Sequence, residues 1–119
     1  MNWTDLKSAP AAGTPVARAA DVDGVVALTV ETAAGAFPLL LVRLGDQVMG
    51  YVNMCPHQGL PLTYRSPRLL SKDGTKLMCS AHGAMFDAAT GTGLAGEGLG
   101  CALMLAPLAE ESGQITVAG

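Results

Sequence analysis

Apolar residues along this chain fall in short runs broken by small or turn-forming residues, and not at the spacing of a helix face. Val25 to Val30 is rich in β-branched residues, and Phe37 to Leu44 and Gln47 to Asn53 are two further runs. Ala33-Ala34-Gly35-Ala36 and Gly45-Asp46 lie between them, which predicts consecutive hairpins. Gly45-Asp46 is a two-residue connection with Gly first. A type II′ turn needs positive φ at that position, which Gly takes without steric cost.

Further along, Lys76 to Cys79, Ala84 to Asp87, Ala102 to Leu105 and Gln114 to Val117 read as short strands, with a turn at Lys72-Asp73-Gly74-Thr75. No stretch of ten or more residues combines 3.6-residue periodicity with helix caps. Leu99 to Leu108 has the apolar content of a helix but carries Pro107 near its end. Five glycines from Gly91 to Gly100 predict a loop that approaches another part of the molecule closely. The pattern is that of an all-β chain, antiparallel, with little helix. No repeat or linker divides it, so one domain over residues 1–119 is expected.

Composition narrows the class. Of the 119 residues, 50% are hydrophobic, enough for a modest core, and 14% are charged with a net charge of -3. Such a balance suits neither a polyanion-binding surface nor a self-repelling disordered chain, so nucleic acid is not expected as a partner. Met1 to Ala20 lacks the apolar stretch of a signal peptide, and the longest apolar run, Phe37 to Val42, is far short of a membrane span of about 20 residues. A cytoplasmic protein without membrane contact is expected. Three cysteines make a poor disulfide framework and are better read as reduced or metal-bound thiols.

The two histidines of the chain each lie within three residues of a cysteine, as Cys55-Pro56-His57 and Cys79-Ser80-Ala81-His82. Taken singly, such residues are usually packed core groups. The repeated pairing argues for a site instead. Each pair follows a predicted strand, so each turn offers one thiolate and one imidazole. Zinc modules tend to group like ligands, Cys with Cys and His with His, whereas the order here is Cys, His, Cys, His. A centre of two irons suits that order, although two thiolates and two imidazoles also satisfy tetrahedral zinc.

The stretch from Cys55 through Gly59 to Leu62, followed by Cys79-Ser80-Ala81-His82-Gly83-Ala84-Met85-Phe86-Asp87-Ala88-Ala89-Thr90-Gly91, resembles the two cluster-binding loops of Rieske proteins. The likeness is strongest over about residues 50 to 91. It implies a fold of three small antiparallel sheets with one 2Fe-2S cluster at one tip, the cluster-binding part covering about residues 53–100. It further implies Cys55 and Cys79 on one iron, His57 and His82 on the other, and backbone approach at Gly59 and Gly83. Imidazole in place of two thiolates leaves a cluster less negative and easier to reduce.

The chain departs from the high-potential members of that family in several places. Their loops carry an extra cysteine pair where this chain has Leu60 and Ala81. A Ser and a Tyr that donate hydrogen bonds in those proteins correspond here to Ala84 and Phe86. Both differences predict a low potential. Residues 58–78 exceed the family's usual spacing, and Ser71 to Lys76 reads as an extended hairpin. Arg65, Arg68, Lys72 and Lys76 lie there against Asp73 alone, a basic stretch that could steer an acidic redox partner. Cys101 has no partner motif and reads as a packed small residue.

The resemblance implies a ferredoxin: an electron-transfer protein without substrate chemistry of its own, carrying single electrons from a reductase to an oxygenase or similar acceptor. Two alternatives stay open, a small Rieske subunit of a larger oxidoreductase of nitrite-reductase type, and a zinc-stabilised interaction module.

Overall fold

The longest strand among the described residues is buried on both of its faces, and the rest of the fold follows from covering it. In the computed structural model, which describes residues 3–54, 62, 69–78, 84–95 and 102–118, that strand is β3, Gly35–Leu44. It lies in the middle of an antiparallel sheet, with β2 (Val25–Thr32) on one side and β4 (Gln47–Val52) on the other. Leu39, Leu40, Leu41 and Val42 are successive and all at most 1% exposed. Alternation along a strand puts successive side chains on opposite faces, so both faces of this sheet must be covered.

Two further three-stranded antiparallel sheets do the covering. One consists of β1 (Pro15–Arg18), β9 (Gln114–Val117) and β8 (Leu108–Glu111), in that order. The core on that side joins Phe37, Leu39 and Leu41 to Val30, Val52 and Ile115, and Trp3 meets Phe37 edge-on with ring centroids 6.3 Å apart. The other sheet is β5 (Lys76–Met78), β6 (Met85–Asp87) and β7 (Gly93–Ala95). Its core joins Leu40, Val42 and Tyr51 to Leu62, Leu69, Leu77 and Phe86. Three small antiparallel sheets and almost no helix, two three-residue 3-10 turns among the described residues, match the fold class the sequence implied.

Turn chemistry accounts for the hairpins. Gly45 has φ +60 and Leu44 pairs with Gln47, while Asp46 keeps a negative φ, which is the type II′ arrangement. The turn at residues 72–75 is closed by Asp73, which accepts hydrogen bonds from Thr75 N at 3.1 Å and from Ser71 Oγ at 2.6 Å, and by Gly74 at φ +73. Leu70 bridges to Leu77 across it, so the extended hairpin at 71–76 is present.

Several boundaries differ from the sequence reading. The β2–β3 connection is two residues, not four, because Gly35 at φ +132 lets Thr32 pair with Gly35 and Glu31 with Ala36. The glycine-rich stretch holds strand β7 at its start, pairing with β6 through a register shift between Met85 and Phe86. A short irregular edge strand tolerates glycine. Ala102 to Leu105 is no strand. Its backbone bonds are divided between partners, Leu103 N to Gly91 O and Val52 N to Met104 O, so no continuous ladder forms. The strand comes after Pro107 as β8, its sequence disguised by exposed Ala109, Glu110 and Glu111.

Candidate functional site

The four candidate ligands Cys55, His57, Cys79 and His82 lie outside the described residues, as do Gly59, Leu60, Arg65, Arg68, Ala81, Gly83 and Cys101. The structure describes the frame on which those two stretches are mounted. Residues 79–84 lie in sequence between Met78 of β5 and Met85 of β6, which are cross-strand partners. The other stretch leaves β4 at Val52, and its two ends meet again where Leu62 N donates to Asn53 Oδ1 at 2.8 Å. Leu62, Leu77, Ala84, Phe86 and Tyr51 belong to one buried cluster, so the ends of both stretches converge on the same core.

A turn downstream of the second stretch fixes that convergence. Asp87 ends β6, and its Oδ1 accepts from Ala89 N at 2.8 Å and Thr90 N at 3.1 Å, the way an Asp side chain organises a turn. Gly91 N donates to Asp87 O at 2.7 Å, and Gly91 takes φ +78. The Phe-Asp and Thr-Gly elements of the sequence motif therefore build a tight turn. Tyr51, fully buried on β4, donates from its hydroxyl to Ala88 O within that turn at 2.7 Å. Burial, and then the negative charge of Asp87, push the Tyr51 pKa up to about 12. The phenol is a neutral donor at any physiological pH.

Ala84 and Phe86 are both fully buried, and neither side chain carries a hydrogen-bond donor. On the outer side, Met78 is 43% and Leu94 39% exposed, and Lys72 and Lys76 share an open depression with Ser71, Asp73, Met85 and Leu94. Hydrogen bonds from Ser71 and then Thr75 hold the Asp73 carboxyl well below the usual carboxylate range. Lys72 and Lys76 against Asp73 leave the described part of the expected basic stretch one positive charge ahead.

Two supporting residues escaped the sequence reading. Tyr51 lies in β4 and Asn53 just past its end, and their bonding partners, Ala88 and Leu62, belong to one buried cluster. A polar and an aromatic residue two apart, just before Cys55, were the available signal.

The donor set fits an iron-sulfur centre. Two thiols and two imidazoles are carried on two stretches whose ends share one apolar core, and thiolate with imidazole on separate irons is the Rieske ligand pattern.

Comparisons with known proteins agree. No curated protein sequence matches the chain. Among solved structures, a chain of the complex of reduced oxygenase and oxidized ferredoxin in carbazole 1,9a-dioxygenase is similar at 26% identity and TM-score 0.68, covering 88% of this chain and 91% of that one. The ferredoxin of carbazole 1,9a-dioxygenase from Nocardioides aromaticivorans IC177 shares the fold at 22% identity and TM-score 0.69, over 89% and 98% of the two chains. The Sphingomonas yanoikuyae B1 ferredoxin does so at 24% identity and TM-score 0.66, over 88% and 96%. Residues 13–107 match the family model of the Rieske [2Fe-2S] domain, and the chain belongs to that family, with a Rieske-type 2Fe-2S cluster as its cofactor.

Proposed function

We propose that this chain is a one-electron carrier that takes electrons from a reductase and passes them to an oxygenase or similar acceptor, with no substrate chemistry of its own. The observation that carries this reading is the likeness, over 88% of the chain, to a chain of an oxygenase and ferredoxin complex, within a family defined by its cluster.

Cys55 and Cys79 hold one iron as thiolates, and His57 and His82 hold the other as neutral imidazoles. When bound, the cluster supplies a centre that gains and loses a single electron. The chain's own contribution is to carry the four donors on two stretches whose ends share one core. Residues 1–119 act as one unit with the cluster-binding part at about 53–100, and the protein works in the cytoplasm. No helix among the described residues is long and apolar enough to cross a membrane.

Anaerobically purified protein is expected to be reddish brown, to contain iron and inorganic sulfide in equal amounts, and to give a Rieske-type EPR signal once reduced. Cys55→Ala and Cys79→Ala are expected to abolish all three. Reduced protein should be oxidised by an oxygenase of this class and rereduced by a flavin-dependent reductase. Colourless protein containing zinc overturns the reading.

A further inference from the structure

Apart from the Tyr51 phenol, Asn53 is the one buried polar side chain among the described residues, 8% exposed. A buried amide costs free energy unless its polar atoms are bonded, so its presence there asks what it holds. Its Oδ1 accepts from Leu62 N at 2.8 Å, a buried bond between residues nine apart.

Both ends of that bond are anchored. Asn53 N donates to Pro38 O at 3.1 Å, which ties its backbone to β3. Leu62 is fully buried in the core with Leu40, Tyr51 and Phe86. The side chain of Asn53 therefore ties residue 53 to residue 62, and Cys55 and His57 lie between the two in sequence. Closing a chain segment reduces the conformations open to it, and donors held near their final geometry bind metal more tightly.

We propose that Asn53 is a positioning residue for the cluster: through Leu62 N it holds the stretch bearing Cys55 and His57 in the conformation that retains the metal. The proposal rests on the reading of Cys55 and His57 as ligands. It assigns Asn53 no contact with iron or sulfur.

The test uses the cluster-loaded protein and two substitutions. Asn53→Leu keeps the volume but removes the acceptor; Asn53→Asp keeps an acceptor oxygen at the same reach. Cluster loss to an iron chelator, followed by visible absorbance, is expected to be about tenfold faster or more in N53L, the usual effect of losing a group that orients a ligand. N53D is expected to restore slow loss, and the reduced N53L protein to give a broadened EPR signal. In the unsubstituted protein the Leu62 amide is expected to exchange with solvent as slowly as the amides of β3.

Wild-type loss rate and EPR signal in N53L overturn the role of Asn53 while leaving the ligands in place, provided Cys55→Ala still loses the cluster. A C55A protein that keeps its cluster overturns the ligand reading itself. Where N53L fails to fold, Leu62 exchange decides: an unprotected amide overturns the proposal, and a protected one with slow loss in N53D upholds it.

Discussion

The Tyr51 hydroxyl is hydrogen-bonded to the Ala88 carbonyl at 2.7 Å, a buried bond between residues 37 apart in sequence. It joins β4, the strand that leads to Cys55, to the turn that follows β6, the strand that comes after His82. Tyr51→Phe removes one oxygen and leaves the ring in its pocket. The expected loss is about 1 to 2 kcal/mol, because the buried Ala88 carbonyl loses its donor. Urea denaturation with an unchanged slope and a lowered midpoint is the result that identifies a lost bond. No change in midpoint would mean that the two elements are joined by packing alone.

The same phenol makes a prediction about alkaline pH. Its folded-state pKa is about 12 against an ordinary value of 10.0. The unfolded chain therefore gives up this proton first, so stability from the group is complete below about pH 10. It declines as pH rises toward 12, by roughly 2 to 3 kcal/mol in all. Denaturation measured from pH 8 to 12 is expected to show the decline in the unsubstituted protein. Y51F should lack that component, and an equal decline in both proteins would assign it to other groups.

How much of this was written in the sequence depends on the range of the interaction. The hairpin at Gly45-Asp46 was legible because a two-residue turn is a local decision, and its φ of +60 agrees with the expectation. Strand β3 was legible as a run, but its burial on both faces became visible only with the sheets on either side of it. Strand β8 was missed because an exposed edge strand has no apolar alternation to show, although Ser112-Gly113, at φ +51 and +81, is a turn signal that precedes β9. At the site, the Cys and His pairs announced themselves by spacing. Tyr51 and Asn53 did not, since their partners Ala88 and Leu62 are chosen by the fold.

Gly91 gives a way to weigh backbone against packing. It has φ +78, and a Cβ added there would meet Tyr51 Cε1 at 3.0 Å and the Leu103 Cβ and carbonyl at 3.3 Å. Gly74 has a similar φ of +73 with nothing within 4 Å. Gly74→Ala should therefore cost only the left-handed backbone, about 1 to 2 kcal/mol. Gly91→Ala should cost that and the displacement of Tyr51 besides, about 2 to 4 kcal/mol. Thermal or urea unfolding of both variants gives the difference. If the two lose the same stability, the turn yields to the new methyl without disturbing Tyr51.

The reduction potential tests the departures at Ala84 and Phe86. Both residues are fully buried at the β6 end of the second stretch, and neither side chain can donate a hydrogen bond. A donor near the cluster favours the reduced state, which carries one more negative charge, so a site lacking two such donors should sit toward the low end of the Rieske range, which runs from about -150 to +300 mV. Ala84→Ser adds an oxygen at little cost in volume. A charge-assisted bond that strengthens by about 1 to 1.5 kcal/mol on reduction corresponds to a rise of roughly 40 to 60 mV for one electron. Protein-film voltammetry on A84S, and on A84S combined with Phe86→Tyr, measures the shift, and the double variant is expected to rise further than the single one. An unchanged potential in both, with the cluster fully loaded, would show that neither position faces the cluster, and the cause of a low potential would then lie with solvent access or net charge.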